Sequence, residues 1–198
     1  MRNDFYEDNA EKFVASTINV DISDLRKRFL NYVRSQGKIL DAGCGSGRDG
    51  LAFKKMGAEV IAFDASAKMV AIASDTLGQS VLHLAFEDIS FSDDFDGIWA
   101  CASLLHVPKA DLLSVFMKLS KALKLGGVMY VSFKYGNQER INDDGRYFVD
   151  LDEGGLADLL AQISSLEIVE LWQTRDHRPG RASEMWLNGI LRKKDKLL

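Results

Sequence analysis

The sequence predicts an α/β fold with three layers: one mostly parallel, seven-stranded sheet with an antiparallel last strand, covered by helices on both faces. Three observations predict it. Short apolar runs alternate with amphipathic stretches over most of the chain. The first run, Lys38–Asp41, ends in an acid and is followed by glycines at alternate positions, Gly43, Gly45 and Gly47. The last two apolar runs have no helical pattern between them, so the chain returns directly and that pair is antiparallel.

The elements follow in order. Ile22, Leu25, Phe29 and Val33 share one helical face. The strand Lys38–Asp41 leads through the glycines into a helix from Gly47 to Met56, which Gly57 stops. Val60–Phe63 is the second strand and ends in Asp64; Ser66 caps the next helix, which closes near Gly78. Val81–Ala85 and Asp96–Cys101 are the third and fourth strands. Pro108 suits the first turn of a helix whose buried stripe is Leu112, Phe116, Leu119 and Leu123. Lys121 and Lys124 favour its C-terminal dipole. Val128–Phe133 follows Gly126-Gly127 as the fifth strand. Leu156, Leu159, Leu160 and Ile163 mark a last helix, and Leu166–Trp172 and Met185–Leu191 complete the sheet. The Arg192-Lys193-Lys194 run reads as a solvated chain end.

Length and composition bound the function. A chain of 198 residues suits one well-cored domain. With 46% hydrophobic and 27% charged residues it is ordinary globular material rather than disordered. A net charge of −4 gives no global field for nucleic acid, so no nucleic-acid partner is expected. Asp4, Glu7 and Asp8 are unlike a signal peptide, and no apolar run is long enough to span a bilayer, so no membrane partner is expected. Two cysteines, Cys44 and Cys101, make no disulfide framework, and a reducing cytoplasm fits them. With three scattered histidines no metal site is expected.

The glycine loop satisfies two cofactor patterns. Gly45-x-Gly47-x-x-Gly50 is a literal dinucleotide fingerprint, which a nicotinamide-dependent oxidoreductase would use. Its register is awkward, because Ala42, Gly43 and Cys44 stand between the strand and the first fingerprint glycine. The other reading starts at Asp41 and runs Asp-x-Gly-x-Gly-x-Gly. Asp64 suits two vicinal hydroxyls under either reading. Asp88 with Ile89 offers one acceptor and one apolar face, as an adenine site needs. The alternative for Asp64 and Asp88 is a polar turn residue after a strand.

With these motifs in this order, the chain resembles the class I S-adenosylmethionine-dependent methyltransferases. More narrowly, it looks like the small bacterial type grouped with tellurite-resistance proteins. Asp41–Gly47 matches their cofactor loop, and Asp64 the acid that binds the ribose hydroxyls. Phe86-Glu87-Asp88-Ile89 matches the adenine segment. Phe95–Pro108 stands beside the methionine moiety and acceptor, and Leu125-Gly126-Gly127 precedes the fifth strand as is typical. The resemblance implies a Rossmann-like fold and S-adenosylmethionine as cofactor. It puts Tyr6, Asp41, Gly43, Cys44, Gly45, Arg48, Asp64, Ala65, Met69, Asp88, Ile89 and Cys101 on the cofactor side. It also implies a single domain over 1–198, with an N-terminal helical lid or cap at 1–35, a cofactor-binding core at 36–135, and acceptor-side loops and closing strands at 136–198. Phe5, Tyr6, Asn9 and Phe13 resemble the lid; a plain packing helix is the alternative.

Methyl transfer from a sulfonium needs alignment more than acid–base groups. His106, after the fourth strand, is the candidate proton acceptor; a structural histidine bonded to nearby backbone is the alternative. The (Asp/Asn/Ser)-Pro-Pro-aromatic motif of base-amino methylation is replaced by Ala100-Cys101-Ala102-Ser103, and the Pro-Cys nucleophile of cytosine methylation by Ala100-Cys101. A small-molecule acceptor is expected instead. Lys134, Arg146, Arg175 and Arg178 suit an anionic acceptor or a metalloid oxyanion, against the alternative of a solvated basic loop paired with Asp176 and nearby acids; Pro179-Gly180 signals a turn there. Cys44 and Cys101 follow adjacent strands in such a fold, which leaves a redox role open beside that of small buried hydrophobes. A non-catalytic S-adenosylmethionine-binding protein stays open as a third function.

Overall fold

The computed structural model describes residues 5–178, 180–181 and 183–194, so Asp4 and Pro179 lie outside the described residues. Two helices, α1 (Phe5–Thr17) and α2 (Ser23–Leu30), precede β1 (Lys38–Ala42), α3 (Arg48–Lys55), β2 (Glu59–Asp64), α4 (Ala67–Leu77), β3 (Leu82–His83) and β4 (Phe95–Ala100). Then come α5 (Lys109–Ala122), β5 (Leu123–Lys134), β6 (Glu139–Ile141), β7 (Tyr147–Val149), α6 (Glu153–Leu160), β8 (Leu166–Arg175) and β9 (Met185–Lys193). The main sheet has the order β3-β2-β1-β4-β5-β9-β8. β9, last in the chain, inserts between β5 and β8 and runs antiparallel to both. The other neighbours are parallel.

Alternate side chains of each central strand feed different layers, as a pleated strand requires. Leu40, Ala42, Ile98 and Ala100 pack with the stripes of α5 and α6. Ile39, Trp99, Tyr130 and Ile190 pack with Phe29 of α2 and Phe53 of α3 on the opposite face. The expected face of α2 holds: Ile22, Phe29 and Val33 are buried. Ser66 caps α4 by accepting from the Met69 amide, and Gly78 ends that helix in the left-handed region. Among the described residues no helix is long and apolar enough to cross a membrane.

Four boundaries differ from the sequence reading. β3 is only Leu82–His83, because the Leu84 amide bonds to Asp64 O and the chain then tightens into a 3-10 turn at Phe86–Asp88. β5 starts at Leu123 and carries through Gly126-Gly127 with a shift in register. Glu139–Ile141 and Tyr147–Val149 form a separate hairpin turned at Gly145, where the Gly145 amide donates to Asn142 O. Arg192 and Lys193 belong to β9 rather than to a solvated end, and Lys193 Nζ donates to Leu123 O at 2.6 Å.

Candidate active site

The carboxyl ends of β1, β4 and β5 open on a cavity of about 660 Å³. In open parallel sheets this is where the chain leaves room for a ligand. The glycine loop forms one wall. Gly43, Gly45 and Gly47 all have positive φ, which glycine tolerates and other residues resist. Their surroundings differ. A Cβ on Gly43 would lie 2.6 Å from Ser103 Cβ, and one on Gly47 3.2 Å from the Ala73 backbone. A Cβ on Gly45 would meet nothing within 4 Å. The loop is therefore packed at Gly43 and Gly47 and leaves an open cradle at Gly45.

Asp41 lines this wall, fully buried, and accepts from the Gly50 amide at 2.9 Å. Burial, with Asp49 close by, pushes its carboxyl well above the usual range. Cys44 and Cys101 line the same cavity and are free thiols. Burial pushes Cys101 up to about 12 and Cys44 higher still, which disfavours thiolate chemistry at either. The two thiols thus share the site as expected, but their surroundings suit small packing groups rather than a redox pair. Ala102 sits at φ +53, a strained position for alanine, steadied by its amide donating to Ser132 Oγ at 2.8 Å.

His106 follows β4 on a 3-10 turn and lines the cavity. Its Nδ1 lies 2.8 Å from Tyr147 O, a carbonyl that only accepts, so Nδ1 carries the hydrogen. Nε2 then has the lone pair and accepts from Tyr6 Oη at 2.8 Å. The backbone bond is the one that the structural reading of His106 expects, and Nε2 is taken up by the Tyr6 hydroxyl. Burial and the nearby Arg146 charge push it down to about 4, against the Tyr147 hydrogen bond, so the ring is neutral at pH 7.

Tyr6 comes from α1, which packs on α4. Ser66 and the backbone of Ala67 and Lys68, at the start of α4, hold the carboxyl of Glu7 on α1 below its usual range. The N-terminal helix, expected as a lid or as a plain packing helix, is thus packed on α4. Asp64 is half-buried and shifted upward by desolvation, accepting from the Gly45 amide at 2.8 Å and the Ser66 amide at 2.9 Å. Each carboxylate oxygen keeps lone-pair capacity for a hydroxyl.

Not every expected residue meets in the cavity. Tyr6, Asp41, Gly43, Cys44, Gly45, Arg48, Cys101, His106, Lys134, Arg146, Arg175 and Arg178 line it; Asp64, Ala65, Met69, Asp88 and Ile89 do not. Asp88 is exposed, Ile89 packs into the core, and Met69 is buried in α4. The guanidinium of Arg48 is committed to Asp49 and to the carbonyls of Thr17 and Val20.

The far end of the cavity is polar. Lys134 Nζ donates to Asp176 Oδ2 at 2.9 Å and to Glu184, and stands 4.1 Å over the Trp186 ring. Arg178 forks onto Asp176, with Nε to Oδ1 at 2.9 Å and Nη2 to Oδ2 at 2.5 Å. Against its own burial, those donors hold Asp176 well below the usual carboxylate range. Arg146 bonds to Asp144 and stacks over Phe5 of α1 at 4.5 Å. The pairing with Asp176 and nearby acids in the alternative reading holds, but Lys134 and Arg146 are buried rather than solvated. Sequence reasoning named Asp176 as a pairing acid but missed Asp49, Glu184, Trp186 and the hairpin; the Asp144-Gly145 turn signal was the cue for the last.

Residues 39–127 match a family model described as a methyltransferase domain. An uncharacterized methyltransferase of Staphylococcus carnosus is 33% identical over 113 residues, covering 52% of this chain and 55% of that protein. The chain thus spans about half the length of that relative. The structure of a 1,6-didemethyltoxoflavin-N1-methyltransferase from Burkholderia thailandensis superimposes with a TM-score of 0.75 at 22% identity, over 96% of this chain and 84% of that one. That structure holds 1,6-didemethyltoxoflavin and S-adenosylhomocysteine. A TehB-like S-adenosylmethionine-dependent methyltransferase from Corynebacterium glutamicum gives 0.71 at 20% identity, over 98% of this chain and all of that one. These structural likenesses show the fold. The family model adds that residues 39–127, a little under half of the chain, are similar to a methyltransferase domain.

Proposed function

We propose that this chain, built on a class I methyltransferase core, transfers a methyl group from S-adenosylmethionine to a small anionic acceptor. The observation that carries the reading is one continuous cavity running from the open cradle at Gly45, past Cys101 and His106, to Lys134, Arg146, Arg175 and Arg178. When bound, S-adenosylmethionine supplies an electrophilic methyl on a sulfonium. The protein's part is to orient and enclose. Gly45 lets the ligand approach the loop backbone, and Asp64 takes the ribose hydroxyls. For Ala65, Met69, Asp88 and Ile89, which do not line the cavity, a role on the adenosine side rests on the family resemblance. In domain terms, 1–35 is the cap, 36–135 the cofactor core and 136–198 the acceptor side.

At the acceptor end, cations outnumber carboxylates among the described lining residues, which supports an anion. An acceptor hydroxyl or amine that displaces Tyr6 Oη would meet the Nε2 lone pair of His106. With its pKa held near 4, His106 is a weak base at neutral pH, better suited to orient the acceptor hydrogen than to keep it.

Space around the glycines weighs against the nicotinamide reading. A dinucleotide fingerprint needs its second glycine open to the pyrophosphate. Here that glycine is Gly47, shut against Ala73, and the open one is Gly45. Calorimetry with S-adenosylmethionine, S-adenosylhomocysteine and NADH tests this: binding of NADH alone overturns the proposal. Turnover against a panel of small carboxylates, phosphates, phenolates and the oxyanions tellurite and selenite then tests the acceptor. Methylated product from any panel member excludes a non-catalytic binding protein. Product from tellurite or selenite would support the metalloid reading, which rests on the tellurite-resistance resemblance.

A further inference from the structure

Arg48 opens α3 directly after the glycine loop and lines the cavity. Nε and Nη2 fork onto the two oxygens of Asp49 at 2.9 and 3.0 Å. Nη1 reaches Thr17 O at 2.9 Å and Val20 O at 3.5 Å, in the link from α1 to α2. Thr17 ends α1, where carbonyls lack partners within the helix and a cation is favoured. Asp49 is held in turn by Arg26 Nη1 of α2 at 2.7 Å and Trp99 Nε1 of β4 at 3.1 Å. Among the described residues, Arg26 Nε is a buried side-chain nitrogen without a partner, so this junction has no spare acceptor. The other end of α1 meets the cavity through Tyr6 and His106. The cap is thus pinned at both ends, and one pin is the residue adjoining the cofactor loop.

We propose that Arg48 is a positioning residue that couples closure of α1 to the seating of the cofactor in the glycine loop, with Asp49 fixing its guanidinium. The inference rests on the cofactor reading given above. A shift of the loop on binding moves the start of α3, and with it the grip on Thr17 and Val20. By reciprocity, the same grip makes a closed α1 favour the bound loop.

Hydrogen exchange of the full chain, with and without S-adenosylhomocysteine, tests it. In the wild type, the ligand is expected to slow exchange of the α1 amides by about tenfold, within the usual range of site-to-site coupling. In Arg48→Met, which keeps an apolar stem but no donors, affinity is expected to fall by about tenfold and the α1 protection to vanish, while α5 amides exchange as before. Arg48→Lys keeps the charge without the fork and is expected to fall between; it carries the comparison should Arg48→Met not fold. Wild-type affinity and α1 protection in these variants would overturn the proposal, as would a wild type that binds the ligand without protecting α1. Loss of protection across α5 as well would mark Arg48 as merely structural and overturn it too. No binding of S-adenosylhomocysteine to the wild type would instead remove the cofactor reading, and this inference with it.

Discussion

Replacing His106 by asparagine should change how stability depends on pH, by an amount that follows from the site. The ring is enclosed by Tyr6, Phe148 and the Tyr147 carbonyl, and burial together with Arg146 takes its pKa from 6.5 down to about 4. Between those values the unfolded chain binds a proton that the folded chain refuses, so stability falls as pH falls. At about 1.36 kcal/mol for each pH step across that window, linkage gives a loss of about 2 kcal/mol by pH 5 and about 3 kcal/mol by pH 4, with almost none above pH 7. Asparagine does not titrate, and its amide can still donate toward Tyr147 O. Other groups, including the upward-shifted Asp41 and Asp64, titrate alike in both proteins and cancel in the difference. Urea unfolding of wild type and His106→Asn at intervals from pH 7.5 to 4 measures the effect. The advantage of the wild type is expected to shrink by about 3 kcal/mol over that range. A difference that stays flat with pH would refute the enclosed, neutral histidine, and with it the tautomer that presents Nε2 to the cavity.

Two contrasts test the rest of the site. Gly43→Ala and Gly45→Ala should part company: Gly43→Ala drives a methyl into Ser103 and should cost about 2–4 kcal/mol in chemical denaturation, from overpacking plus left-handed strain. Gly45→Ala has open space, so it should cost about 1–2 kcal/mol, mostly strain, yet weaken S-adenosylhomocysteine at least as much as Gly43→Ala does. Equal stability losses would contradict the packing described. Lys134→Met should destabilise by about 3–5 kcal/mol, because it leaves Asp176 buried with one donor fewer. The double variant Lys134→Met with Asp176→Asn should recover part of that loss, and a thermal melt showing strict additivity would argue against the pair.

The parts of the molecule legible in the sequence are those where one residue's own chemistry decides. Left-handed φ at Gly43, Gly45 and Gly47 demands glycine, strand ends place Asp41 and Asp64, and the absent helix between the last strands orders β8 and β9. The illegible parts depend on partners distant in the chain. Arg48 and Asp49 are adjacent, so nothing local tells that they meet Thr17, Val20, Arg26 and Trp99 rather than a ligand. Pairing of the basic loop with Asp176 is legible from their closeness in the chain, but only folding shows Lys134 tied to the same acid and Arg146 laid against Phe5 of α1. The same logic resolves the glycine loop, whose spacing satisfies two fingerprints at once. Spacing is a property of the loop alone, but openness is a property of what packs on it. Ala73 of α4 closes Gly47, Ser103 after β4 crowds Gly43, and only Gly45 is left facing space. The loop therefore offers its backbone to a ligand at the position the sulfonium-cofactor register uses, just ahead of the one a dinucleotide would need.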